Sequence, residues 1–140
     1  MAENACVQFQ YAVKFVCGEV REQNIVAPGQ YFTAINVHNP SSTRPVRFQW
    51  KIAIALPGVK GGPISNFFDA ALKPDQALEI DCPDIAKGSP SSDLKPLKGF
   101  VVIISPCELD VVAVYTAQQK PGAGVQTMHT ERVPARMTCC

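Results

Sequence analysis

From Val46 to Leu56 every second residue is large and apolar: Val46, Phe48, Trp50, Ile52, Ile54 and Leu56 share one face, while Arg47, Gln49 and Lys51 point the other way. Side chains alternate across a strand, so this pattern predicts a strand with one buried face, and a slip of one residue would bury the polar set. The same alternation runs from Val7 to Cys17, with Val7, Phe9, Tyr11, Val13, Phe15 and Cys17 on one face and Gln8, Gln10 and Lys14 on the other. Tyr31 to His38 follows it again, with Tyr31, Thr33, Ile35 and Val37 opposed to Phe32, Ala34, Asn36 and His38, before Asn39-Pro40-Ser41-Ser42 ends the run.

Phe100 to Gln118 is the most apolar part of the chain. It predicts two buried arms, Gly99 to Ser105 and Leu109 to Ala117, folded as a hairpin about Ser105-Pro106-Cys107-Glu108. Further strands are expected at Gln76 to Cys82, with Cys82 inward, and at about Val125 to Val133. Pro57 to Asp69 is rich in glycine and proline and reads as a loop whose Phe67 and Phe68 tuck under one end of the core. Pro83 to Leu97 reads as an irregular surface crossover, and no helical period extends beyond a turn or two. Seven short strands separated by Pro/Gly/Ser turns predict an all-β chain, a two-sheet antiparallel sandwich. Residues 1–136 form its single domain and residues 137–140 a short tail.

The strand count, Trp50 on the third strand and the long connection before the apolar arms resemble an immunoglobulin-like or fibronectin-type sandwich. Neither Tyr31–His38 nor Phe100–Ser105 carries a cysteine, so the inter-sheet disulfide of the antibody pattern is absent. The stretches YFTAINVHNPSS and CELDVVAVYTA are also similar to small uncharacterised bacterial sandwich proteins, a resemblance that implies a fold and no activity.

Charge narrows the partners. Thirteen Lys and Arg against twelve Asp and Glu leave a net +1, with neither sign gathered into a block, so nucleic acid is not expected. No uninterrupted apolar run is longer than that of Phe100 to Ile104, which is far too short to span a bilayer. The first twenty residues have neither a basic start nor a continuous apolar stretch, which makes the cytoplasm the default compartment and reduced thiols the default state.

The six cysteines, at 6, 17, 82, 107, 139 and 140, form no C-x-x-C pair. Simple up-and-down alternation of the predicted strands puts Cys17 and Cys107 at one end of the sandwich and Cys6, His38 and Cys82 at the other. The second group would suit a zinc ion, since thiolate and imidazole are tetrahedral ligands for it, and the first is the pair to name for a disulfide. These residues are read first as small inward hydrophobes and a turn histidine, with no cofactor, and zinc is the alternative. The adjacent Cys139 and Cys140 look like the prenylated tail of small trafficking GTPases, but Gly58-Val59-Lys60-Gly61-Gly62 lacks the phosphate-loop spacing that such a relationship requires.

No constellation for catalysis emerges. His38 and His129 are the only histidines, and Glu108 next to Cys107 would disfavour its thiolate. An enzyme would have to place its site in the 57–63 loop or the 83–97 crossover. What stands out instead is a set of small or apolar residues on faces that alternation turns outward: Phe32, Ala34, Ala53, Ala55, Val112 and Val114. A lone sandwich would leave them in water, so the expectation is a non-enzymatic structural or binding module that works as a homo-oligomer or on a protein partner. The alternative is a metal-binding or thiol-redox protein.

Overall fold

The computed structural model describes residues 7–21, 26–91 and 96–139. Along the chain run β1 (Val7–Val20), β2 (Gly29–His38), β3 (Val46–Ile54), β4 (Phe68–Leu72), β5 (Ala77–Asp81), α1 (Cys82–Gly88), β6 (Leu97–Ser105), β7 (Asp110–Gln118), β8 (Thr127–Arg132) and β9 (Arg136–Cys139). The fold is thus nearly all-β, and every pairing is antiparallel. The strands form one nine-stranded sheet in the order β4-β3-β6-β1-β2-β7-β8, with β5 added beside β2 and β9 beside β1. The sheet does not close.

β1 joins the two halves of that path. Its alternation is as expected: Tyr11, Val13, Phe15 and Cys17 are buried, whereas Ala12, Lys14 and Gly18 are exposed. As far as Cys17, which stands opposite Leu97, it pairs with β6, and from Gly18 onward it pairs with β2. Gly18 marks the change of partner with a φ of 115°, a conformation that any side chain would strain. Deeper in the sheet Gly99 lies so close to β3 that a Cβ there would run into the Ala53 carbonyl. One core cluster draws on both halves, with Phe48 and Ile52 of β3, Val101 and Ile103 of β6, Ile35 and Val37 of β2 and Val111 and Ala113 of β7. Trp50 is only half-buried, at the margin of that core, tilted against Phe68 with ring centroids 4.6 Å apart.

Several expectations need correction. The apolar arms 99–105 and 109–117 are not a hairpin: β6 pairs with β1 and β3, while β7 pairs with β2 and β8. The turn between them is an arch from one half of the sheet to the other. Tyr11 pins it, its hydroxyl donating to the Leu109 carbonyl and accepting from the Leu109 N–H. β4 falls at the end of the supposed 57–69 loop and within the unassigned segment behind it, where Phe68 joins the core margin and Phe67 stays exposed. β9 takes up residues assigned to a tail.

The 83–97 crossover begins as a helix. Asp81 caps α1 by accepting from the Asp84 N–H, and the Asp84 carboxylate accepts from the Asp81 N–H in return. Ile85 is its one fully buried side chain. A seven-residue amphipathic turn shows too little period to be read from sequence.

Candidate interaction face

The outward side of the β5-β2-β7-β8 half is built by the even positions of β2. Across it, Ala34 pairs with Asp81 of β5 and Val114 of β7, and Asn36 pairs with Glu79 and Val112. On β8, Met128, Thr130 and Arg132 complete the rows opposite Thr116, Val114 and Val112. Four of the six residues picked out as an interface, Phe32, Ala34, Val112 and Val114, therefore lie side by side, with Met128 added at the edge. Phe32 is 46% and Met128 68% exposed, large values for apolar side chains. Met128 escaped the sequence reading because on an edge strand of six exposed residues alternation carries no contrast between faces.

Ala53 and Ala55 do not belong to this group. Ala53 lies on the outward side of the other half, opposite Phe100, and Ala55 lies just beyond the end of β3. That second face carries Phe100, Val102 and Ile104 of β6 along its centre and Lys14, Lys51, Lys98, Arg47 and Arg136 around them. The Lys14 ammonium sits 5.4 Å from the Phe100 ring and the Lys51 ammonium 4.8 Å from the Phe67 ring. Partial burial, followed by the charge of Lys98, holds Lys14 below the ordinary lysine pKa.

One end of the first face is closed by charge. His38 Nδ1 lies 2.8 Å from Asp110 Oδ2 and Nε2 lies 3.2 Å from Asp75 Oδ1. Both ring nitrogens thus face carboxylates, an arrangement satisfied only by the imidazolium, which donates from each. The hydrogen bond to Asp110 raises the His38 pKa above its ordinary value, with Asp75 adding to it and desolvation opposing. Asp75 sits in the turn between β4 and β5 at a φ of 63°. Arg132 Nη2 reaches the second oxygen of Asp110 at 3.3 Å. Held through both nitrogens, His38 clasps the β4–β5 turn to β7.

Beside this face, where β1 parts from β2 before Gly18, a cleft of about 400 Å³ is lined by Lys14, Tyr31, Phe32, Tyr115, Met128 and His129 among others. It is an unpaired seam of the sheet bridged by side chains. The Tyr115 hydroxyl donates to the Lys14 carbonyl at 2.6 Å, and Thr33 Oγ1 accepts from the Val16 N–H and donates to the Val16 carbonyl. Burial pushes the Tyr115 pKa up, and Glu131 adds to it.

The cysteine assignments change. Cys17 is bonded to Cys82, not to Cys107, and Cys107 is a free, exposed thiol. Since β1 and β6 are antiparallel, Cys17 stands by the start of β6 and Cys107 lies past its end, roughly 26 Å away at the rise of a strand. The bond joins β1 to the first residue of α1, so it is not the link between second and sixth strands found in antibody domains, and a wholly reduced chain is not what the structure contains. Of the zinc candidates, Cys6 lies outside the described residues and Cys82 is consumed by the bond. His38 is roughly 16 Å from Cys82 along β2, because Cys82 contacts Thr33 while His38 is five residues further on. Among the described residues no group of three or more His, Cys, Asp and Glu side chains is placed to hold a metal, and no helix is long and apolar enough to cross a membrane.

No family model and no curated protein matches the chain. Among solved structures the fold is similar to the crystal structure of Thermotoga maritima 1070, with a TM-score of 0.55 over 94% of this chain and 96% of that one. At 9% identity the likeness is one of fold alone.

Proposed function

We propose that the chain is a non-enzymatic structural or binding module that works by self-association through the outward face of β5-β2-β7-β8. The observation that carries this is the contiguity of Phe32, Ala34, Val112, Val114 and Met128 on one sheet surface. Water around such a patch is released when a second copy covers it, at roughly 25 cal/mol per Å² of apolar area. The architecture we infer is a two-layer sandwich, supported by the single core shared between both halves. Its immunoglobulin-like form draws support from Trp50 on the third strand, although β1 lies between β6 and β2 as an extra central strand.

Replacing Val112 and Val114 together by Glu places two charges in the middle of the patch, where burial costs several kcal/mol each. Sedimentation velocity should show the parent chain as an oligomer and the variant as a monomer with an unchanged circular dichroism spectrum. A parent chain that is monomeric at millimolar concentration, or a variant that keeps its mass, removes this reading.

A second reading, thiol chemistry, is favoured by the Cys17–Cys82 bond together with the exposed Cys107. It requires that Cys107 exchange with the bond, against the separation between them. Attack of Cys107 on a small-molecule disulfide, forming a mixed disulfide and releasing one thiol, at a rate lost in Cys107→Ser, would bring it forward.

A further inference from the structure

We propose that the second copy docks about a two-fold axis that runs parallel to the strands between β2 and β7, so that Glu79 of each copy meets Arg132 of the other. This rests on the self-association proposed above and gives it an orientation. The pairing register places Glu79, Asn36, Val112 and Arg132 in one row across the face, and Asp81, Ala34, Val114 and Thr130 in the next. Each row is acidic at the β5 margin and uncharged in the middle, with Asn36 and Val112 in one and Ala34 and Val114 in the other. At the β8 margin it ends in an arginine or a hydroxyl. The face is therefore polarised from side to side and level along the strands.

A rotation about an axis parallel to the strands exchanges the two margins and keeps every row at its own height. β5 of one copy then covers β8 of the other, and β2 covers β7. Glu79 faces Arg132 twice, Asp81 faces Thr130 twice, and Ala34 packs on Val114 twice. The other face-to-face two-fold, across the strands, lays β5 on β5 and sets the Glu79 and Asp81 margin against its own image, a like-charge contact that disfavours it.

Aligned sheets cross at about 30°, which displaces margins lying roughly 7 Å from the axis by roughly 4 Å relative to each other. An arginine side chain spans that distance. Arg132 is exposed and uses one nitrogen on Asp110, so its planar fork retains donors for a second carboxylate. Glu79 is exposed as well. Four strands at about 4.8 Å spacing and six residues of rise give a face of roughly 400 Å² per copy, about half of a standard interface side, so the dimer forms in the micromolar range or weaker and depends on concentration.

The test is a charge exchange read by sedimentation velocity across a dilution series of the full chain. Glu79→Arg and Arg132→Glu should each weaken the dimer by about tenfold, and the double variant Glu79→Arg/Arg132→Glu should return it to within about threefold of the parent. Neutral Glu79→Gln and Arg132→Gln guard against misfolding of the reversed variants and should weaken it by about threefold each. Recovery in the double variant supports the orientation. If the single variants weaken association but the exchange does not restore it, or if none of them changes it while Val112→Glu/Val114→Glu still dissociates the protein, the orientation is overturned and self-association stands. A monomeric parent chain overturns both.

Discussion

The two outward faces of this sheet have similar apolar cores and opposite charge arrangements. On the β5-β2-β7-β8 side the acids Glu79 and Asp81 occupy one margin and Arg132 the other, leaving Ala34, Val112 and Val114 uncharged between them. On the β4-β3-β6-β1 side the cations Lys14, Lys51 and Arg47 stand among the apolar residues, Asp69 is the acid near them, and two lysine ammonium groups cover aromatic rings. A second copy laid on the first face finds complementary margins, and on the second face it finds its own cations. Under the self-association proposed above, the placement of charge relative to apolar area, and not the area itself, is what would make one face a contact surface and leave the other solvated.

The largest expected effect on association breaks the comparison directly. Val114→Glu and Val102→Glu put the same charge at the centre of each face, in strands with comparable half-buried neighbours. The first should weaken association by a hundredfold or more, since an uncompensated interfacial charge costs on the order of 3 kcal/mol, and the second should leave it unchanged. Equal loss from both variants, measured by sedimentation equilibrium, would mean that both faces are used and that charge placement does not choose between them.

The largest effect on folding, as distinct from association, comes from the bond that anchors the acidic margin. Cys82 follows Asp81 directly, and its bond to Cys17 closes a separation of 65 residues, which stabilises the fold by about 4 kcal/mol in the chain-entropy account. Cys17→Ser/Cys82→Ser should therefore lower the melting temperature by many degrees while leaving dimerisation at room temperature intact, because no residue of either face is lost. A melting temperature equal to that of the parent would show that the bond contributes nothing. Loss of the dimer in a folded variant would show that the margin needs the bond to hold its position.

Much of this was legible in the sequence, and the failures share a cause. The period of two in Val7–Cys17, Tyr31–His38 and Val46–Leu56 identified three strands, most of their inward residues (Val7 is exposed) and the outward Phe32 and Ala34, while Val112 and Val114 came from the apolar arm 109–117. β4 was not legible, because Phe68–Leu72 is a five-residue edge strand whose Ala70 and Ala71 give no contrast between faces. Omitting one strand reverses the direction assigned to every later one. That sent Cys82 to the end of the molecule occupied by His38 and Cys107 to the end occupied by Cys17, and it produced both the zinc trio and the wrong disulfide. The arch between β6 and β7 failed for another reason: two apolar arms around a tight turn have the same pattern whether they pair with each other or with separate halves of a sheet. Register and contact lie beyond periodicity whenever partners are distant in the chain.

A smaller effect sharpens the contrast from the second face. Lys51→Ala uncovers the Phe67 ring and removes one central cation. Folding stability should fall by about 0.5 kcal/mol, the value of an exposed cation–π contact, without any gain in self-association, because Lys14 and Arg47 remain. Appearance of a new, larger oligomer in Lys51→Ala would mean that this single ammonium is what keeps the second face apart from its image.

The smallest expected effect concerns the clasp at the end of the first face. His38 stands between Asp110 and Asp75, and its folded-state pKa is raised above the ordinary 6.5, chiefly by the Asp110 hydrogen bond. A group whose pKa is higher in the folded state than in the unfolded chain binds its proton more tightly when folded. Its contribution is fully present below pH 6.5 and is lost as pH rises through the raised value, when the imidazolium releases a proton to solvent and one of its two hydrogen bonds to carboxylate goes with it. Melting temperatures measured from about pH 5 to about pH 9 should therefore contain a fall above neutrality that His38→Gln lacks, Gln retaining a donor amide of similar reach. A slope identical in both proteins would assign the pH dependence to other groups. The clasp would then be a solvated contact that neither holds the β4–β5 turn against β7 nor distinguishes this face from the other.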